Sequence, residues 1–503
     1  MQASIETFAF RGVEAAPVKV QVHLSNGLPN IAIVGLADKA VSESKERVRA
    51  ALSSLGLALP PRRIAVNLAP ADLSKEGSHY DLPIALGLLV AMNAIPQDSV
   101  DGMVVMGELS LDGTINGVHG MLAAAITAAN RGMGIICPED NGAEVAWAGE
   151  MPIIAAPNLV ALINHLQGTQ VLATPEAQVE KVTDHLPDMQ DLVGQEMPRR
   201  ALEITAVGGH NLLMVGPPGS GKSMLAARLP ALLPSMLPRE SLEVTMLHSI
   251  AGKLNKGGLI VNRPFRDPHH SASIAALVGG GKKARPGEVS LAHGGVLFLD
   301  ELAEWPAHHL DSLRQTIESG KSVVSRVNHH VTYLARFQLI AAMNPCRCGY
   351  LGDPSRACAK APRCGRDYMA KISGPLIDRF DMMIEVSALP PSAFTSEASS
   401  GESSQTVAKR VANARNFAFT RPQQKDGIIN ANLDGNALDD VLMLSEVNRK
   451  FLRDSAERLN LSARGYHRVM RVARSIADLD ESAVVEGHHL SEAMQYRWLP
   501  LLA

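Results

Sequence analysis

The sequence predicts an α/β protein with a helical C-terminal segment, and the arrangement of its apolar residues carries that prediction. Short β-type runs alternate with helix-period segments through residues 1–170. Between about 192 and 386 apolar, strand-length runs end in polar or acidic residues, the pattern of an α/β sheet with a site at its edge. From 407 onward the apolar residues recur with helical period alone.

The elements follow in order. In the first block, 18–23, 31–34 and 63–68 read as strands, and 39–55 and 81–92 as helices. The longest apolar stretch, 82–95, is too short to span a bilayer and reads as a buried core helix. A polar linker at 171–190 ends this N-terminal domain. The second domain, 191–389, contains strands at 211–215, 296–299 and 337–343. A Ser- and Pro-rich linker, 390–406, is expected to be flexible. The last domain, 407–503, has its clearest helices at 441–459 and 468–479.

Composition narrows the class. A chain of 503 residues with 46% apolar and 20% charged residues reads as a soluble globular protein of several domains. Its formal net charge of -3 argues against a globally basic nucleic-acid binder but leaves local patches open. The start, MQASIETFAFRG, lacks the basic end and apolar run of a secretory signal, so the cytoplasm is expected, without a membrane partner. Four of the five cysteines crowd between Cys346 and Cys364, which favours a metal site or reduced thiols over disulfides.

The strand at 211–215 runs straight into Gly216, Pro217, Pro218, Gly219, Ser220, Gly221, Lys222 and Ser223, and a helical segment follows. This GxxxxGK[ST] pattern wraps backbone N–H groups around phosphates. Lys222 would reach the outer phosphates and Ser223 would hold Mg²⁺, so ATP and magnesium are the expected cofactors. The apolar strand 296–299 ends in Asp300 and Glu301. Asp300 is placed to complete the magnesium shell and Glu301 to polarise the attacking water. The third strand ends at Asn344, whose amide is placed for the γ-phosphate; a plain Asn-Pro turn is the alternative.

Together, DLVGQEMPRRAL, GPPGSGKS, VLFLDE, AAMNPCRCG and ISGPLIDRFD resemble an AAA+ ATPase of the magnesium-chelatase-like group that includes ComM and YifB. The string RPFRDPHHSAS is specific to that group, and the resemblance covers essentially the whole chain. It implies that Asn344 is sensor 1, that Arg379 is an arginine finger acting on a neighbour's ATP, and that Arg464 is sensor 2 on a helical lid, with Arg468 as the fallback. It further implies a homo-oligomeric ring, a hexamer. A surface ion pair of Arg379 with Asp378 or Asp381 is the plainer alternative. IAVNLAPADLSKEG and GELSLDGTINGVHGM resemble the Lon-protease-like domain of ribosomal protein S5 type found at the front of these proteins. The dyad positions of that fold fall on His79 and Leu122, so proteolysis is not expected, although Ser78 is adjacent.

Cys346, Cys348, Cys358 and Cys364 form CxC-x9-C-x5-C in a polar loop, a set that would satisfy tetrahedral zinc. Reduced, half-buried thiols are the alternative. Basic residues concentrate in two inserts: seven Lys or Arg against one Asp in 253–287, and nine against two in 319–371. In the first, Lys282, Lys283 and Arg285 are expected to meet DNA; in the second, Arg326 beside the 328–330 turn. The His269–His270 and His329–His330 pairs read as polar contacts. The expected function is a DNA translocase or helicase of the branch-migrating kind, serving transformation or recombination, on single-stranded or branched DNA. The alternative is a chelatase-type motor that remodels a protein partner for metal insertion into a tetrapyrrole.

Overall fold

The computed structural model describes residues 2–180, 186–254, 258–281, 284–326, 329–351, 355–389 and 401–497. Lys282, Lys283 and Asn328 lie outside the described residues, as do the side chains of Arg326, His329 and His330.

The chain opens with β1 (Gln2–Arg11) and β2 (Glu14–Ser25), an antiparallel hairpin closed by Gly12 and Val13. There follow β3 (Asn30–Val34), α1 (Lys39–Ser54), β4 (Arg63–Ala69), α2 (Asp81–Ala91), β5 (Met103–Val105), β6 (Glu108–Leu109) and β7 (Ile115–Asn116). The block closes with α3 (Met121–Asn130), β8 (Gly134–Pro138), α4 (Glu139–Val145), β9 (Ile153–Ala156) and α5 (Leu159–Leu166). Seven strands form one mixed sheet in the order β3-β4-β2-β1-β5-β8-β9. Strand parity decides what covers each face. Ile5 of β1 packs with α2, whereas Phe8, of opposite parity, packs with Met121, Ala124 and Ala125 of α3. Helix α2 is apolar and buried all round, which makes most of the long apolar run a core helix.

The second block contains α6 (Glu196–Gly208), β10 (Leu212–Val215), α7 (Lys222–Leu232), α8 (Pro238–Ala251), β11 (Phe265–Arg266), α9 (Ile274–Val278), β12 (Gly279–Gly280), β13 (Arg285–Pro286) and α10 (Glu288–Leu291). It continues through β14 (Val296–Leu299), α11 (Ala307–Ser319), β15 (Lys321–Arg326), β16 (His329–Leu334), β17 (Gln338–Met343), α12 (Arg363–Met369), α13 (Gly374–Ile377) and β18 (Met382–Glu385). Five parallel strands make the sheet β11-β14-β17-β10-β18. Its three inner strands are buried along their whole length, because helices cover both faces of a parallel sheet.

The C-terminal helices are α14 (Ser404–Phe419), α15 (Gly435–Leu442), α16 (Glu446–Arg458), α17 (Ala463–Leu479) and α18 (Gly487–Gln495). Two sequence expectations change here. Helix α14 starts inside the stretch expected to be a flexible linker, because the Ser403 side chain caps it by accepting from the Thr406 N–H. The single helix expected at 441–459 is two helices. Met443 takes a left-handed conformation (φ +49°), and Ser445 then caps α16.

Among the described residues, two sets of contacts bolt the N-terminal block to the second block. Glu144 of α4 accepts hydrogen bonds from Ser249 of α8 and from the Leu122 N–H, while the Gly120 N–H donates to Ser249 Oγ at 3.0 Å. At the other, Val13 joins an apolar cluster of Leu247, Ala284, Val324, Val331 and Tyr333. Gly12 sits there with φ +64°, and a Cβ added to it would lie 2.2 Å from Val331 Cγ1. Gly12→Val is therefore expected to destabilise the protein by about 1–3 kcal/mol through overpacking, read as a lower denaturation midpoint.

Candidate active site at the carboxyl ends of the parallel strands

The P-loop, residues 216–223, connects β10 to α7, and its geometry follows from its glycines. A Cβ on Gly216 would stand 2.1 Å from the Val386 carbonyl oxygen, and Gly221, with φ +88°, turns the chain into the helix. Lys222 then points back into the loop. Its Nζ donates to the Gly216 and Pro217 carbonyls at 2.8 Å each and lies 3.4 Å from Asn344 Oδ1 at the end of β17. Burial pulls the Lys222 pKa below its ordinary value, against the opposing charge of Asp300. Ser223 Oγ donates to Asp300 Oδ2 at 2.7 Å, so the hydroxyl and carboxylate expected to share a magnesium ion are already in contact. Both are oxygen donors, the chemistry that Mg²⁺ prefers. Lys222, Ser223, Asp300, Glu301 and Asn344 thus converge at the carboxyl ends of β10, β14 and β17, where α/β sheets bind ligands.

Two residues at this site, Asp267 and Gln195, escaped sequence reasoning, whereas His270, read as a polar contact, makes one. Glu301, held in a left-handed conformation (φ +50°), places Oε2 3.1 Å from His270 Nδ1. The His269–His270 pair showed no carboxylate at ligand spacing; the partner arrives through space, from a strand end thirty-one positions away. Asp267, in the same RPFRDPHHSAS string, is exposed at the surface, yet partial desolvation and then the charge of Asp300 raise its carboxyl pKa. Gln195, in the DLVGQ string, donates from Nε2 to the Ser220 carbonyl at 2.9 Å and to the Ser387 carbonyl at 3.2 Å, tying the domain entry to the P-loop. The group-specific strings were the only signal for these residues.

Arg379 and Arg464 lie elsewhere. Arg379 precedes β18, and its carbonyl accepts from Asn211 Nδ2 at the amino end of β10. Four residues of strand, about 13 Å, separate that end from the P-loop. Arg379, Arg464 and Arg468 line a cavity of about 800 Å³ between the sheet's amino ends and the C-terminal helices. The Arg379 guanidinium is paired with Glu318 and donates to the Pro375 carbonyl at 2.9 Å. The ion pair considered for it with Asp378 or Asp381 is not the one formed, since Arg468 takes Asp381. Arg464 is exposed in the first turn of α17. The helical region read as a lid therefore offers Arg464 at the end of the sheet opposite its own P-loop.

In the N-terminal block Ser78 donates to Glu108, and His79 is buried with Nε2 3.0 Å from the Phe8 carbonyl. Burial pushes the His79 pKa down to about 4. Lys75 is buried as well and donates to the Pro70 carbonyl. Ser78 thus meets a carboxylate instead of a lysine.

The two basic inserts meet. In the first, β12 pairs with β13, with Gly280 opposite the exposed Arg285. In the second, Arg326 ends β15 opposite His329. Tyr333 of β16 donates its hydroxyl to the Ala284 carbonyl at 2.8 Å, which joins them. In the cysteine loop, the Sγ atoms of Cys346, Cys348 and Cys364 all lie within 4.8 Å of one another. Among the described residues no helix is long and apolar enough to cross a membrane.

Comparison with known proteins gives the site its family. The description "Magnesium chelatase, subunit ChlI" matches residues 188–394, "Subunit ChlI of Mg-chelatase" matches 20–141, and the corresponding C-terminal description matches 401–497. The chain is 42% identical to YifB of Salmonella typhimurium over 496 residues, covering 98% of this chain and 97% of that protein. It is 40% identical to the competence protein ComM of Haemophilus influenzae over 501 residues, covering 98% and 97%. The magnesium-chelatase 38 kDa subunit of Rhodobacter capsulatus is 32% identical over 171 residues, 31% of this chain and 49% of that one. A P-loop with its acidic strand end, set in a five-stranded parallel sheet and matched along nearly the whole chain, places this protein in the magnesium-chelatase-like family of AAA+ ATPases, the group of YifB and ComM.

Proposed function

We propose that this ATPase is a ring-forming motor that translocates on single-stranded or branched DNA, in the manner of a branch-migrating helicase serving recombination or transformation. The observation that carries the reading is the junction of the two basic inserts through Tyr333 and Ala284. Ala284, next to Arg285, shares one small apolar cluster with Val324 of β15 and Val331 and Tyr333 of β16, which supports a phosphate-tracking surface built from both basic inserts on a chain whose net charge is -3. The competence protein among the relatives agrees with it. In the motor, Lys222 binds the outer phosphates, and Ser223 and Asp300 hold magnesium, which neutralises charge on the transferred phosphoryl group. Glu301 takes the proton of the attacking water, and Asn344 orients the γ-phosphate. Arg379 and Arg464 reach a neighbour's ATP from the amino end of the sheet, which makes turnover depend on assembly; a hexamer is the expected ring.

DNA should stimulate ATP turnover, most strongly in single-stranded or branched form. Arg285→Ala, Arg326→Ala and the double change Lys282→Ala/Lys283→Ala should each weaken DNA binding. Each lost phosphate contact should flatten the slope of log K against log salt by about 0.7 for single strands. No stimulation by any DNA form, with unchanged slopes, overturns the reading. The chelatase-type reading rests on the partial match to the 38 kDa subunit, and predicts stimulation by a protein partner in place of DNA.

A further inference from the structure

The cysteine loop is more than a neighbour of the ATP site. Cys346 follows Asn344 by two positions and is fully buried. Its sulfur lies 3.1 Å from that of Cys348. Cys358, in the same loop, is the fourth thiol of the sequence pattern and is half-buried; the three sulfurs that the fold gathers are those of Cys346, Cys348 and Cys364. A tetrahedral zinc–thiolate site, with Zn–S near 2.3 Å, needs sulfurs about 3.8 Å apart. Three of these sulfurs already stand within 4.8 Å of one another.

Little else holds the loop. Among the described residues of 344–362 there is no strand and no α-helix, and the only buried apolar side chains are the adjacent Pro345 and Cys346. The loop nevertheless packs on the P-loop. Gly349, with φ +85°, sits so close to Pro218 that an added Cβ would be 2.5 Å from the proline Cδ. At its far end Cys364 lies in α12, whose Tyr368 hydroxyl donates to Glu304 at 2.9 Å, three residues beyond Glu301.

We infer that Cys346, Cys348, Cys358 and Cys364 bind one soft divalent cation, zinc by its donor set, and that this clamp braces Pro218 and Asn344 in the wall of the ATP site. Metal occupancy then sets nucleotide affinity. The cation supplies the ordering free energy that the loop's few apolar contacts do not. The inference rests on the ATPase assignment and is independent of the reading of DNA as the polymer.

The test uses the full chain. Elemental analysis of purified protein should find about one zinc per chain. Cobalt introduced in its place should show the thiolate charge-transfer and tetrahedral ligand-field bands of a four-sulfur site. Removing the metal, then returning the protein to magnesium buffer, should weaken binding of a fluorescent ATP analogue by about tenfold to a hundredfold, the cost of misplacing a binding group by up to an ångström. Re-addition of zinc should restore it. Cys348→Ser/Cys364→Ser should lose the cobalt spectrum and reproduce the weakened affinity. A chain that holds neither zinc nor spectroscopically tetrahedral cobalt overturns the site. A chain that holds the metal but binds nucleotide equally well without it overturns the brace.

Discussion

Arg379→Ala is expected to lower ATP turnover of the assembled protein by about three to five orders of magnitude while leaving ATP binding intact. The two effects separate because Arg379 stands at the amino end of β18 and the P-loop at the carboxyl end of β10. The change should also carry a stability cost, because the Arg379 side chain is only 5% exposed and donates to the Pro375 carbonyl as well as pairing with Glu318, so a denaturation midpoint measured alongside separates folding from turnover. Glu318→Ala supplies the control, since it breaks the same ion pair but keeps the cation, and it should not reproduce the loss. Mixing Arg379→Ala chains with Lys222→Ala chains sharpens the test. Each mixed interface that joins an intact P-loop to an intact Arg379 should turn over, so the mixture should exceed either variant alone. Normal hydrolysis by Arg379→Ala would reject the role in trans and leave Arg464, exposed at the same cavity, as the residue to test.

Glu301→Gln should be nearly as severe, with turnover reduced by about two to four orders of magnitude, the usual contribution of a positioned general base. The amide keeps an oxygen to face His270, so the geometry of the turn is preserved and ATP should still bind. Rapid-quench measurement of bound ATP checks both halves of the expectation. His270→Ala tests positioning separately. It removes the contact at 3.1 Å but leaves the carboxylate, and the resulting defect should be smaller and fall on turnover, with ATP affinity unchanged. Equal ATP turnover by Glu301→Gln and the unmodified protein would reject Glu301 as the base.

Part of this site was legible because its chemistry is contiguous in the chain. A strand, a glycine loop, a lysine and a hydroxyl occupy consecutive positions, and Asp300 and Glu301 directly end an apolar run. The helix α2 was legible for a similar reason, since all eleven of its residues are buried and the ten that follow Asp81 are apolar. The break at Met443 was not, because a left-handed residue other than glycine leaves no compositional mark.

By itself, then, the sequence determined the residues suited to phosphate and magnesium and the three inner strands that present them, which are written in adjacent residues and local periodicity, while the family showed in the resemblance of whole motif strings. Only the tertiary structure decided that His270 faces Glu301, that Gly349 presses a thiol-rich loop onto Pro218, and that Arg379 and Arg464 share a cavity at the far end of the sheet. Those contacts join residues tens to more than a hundred positions apart. No spacing rule records such a contact; it exists only once parallel strands, packed side by side, bring their ends into register.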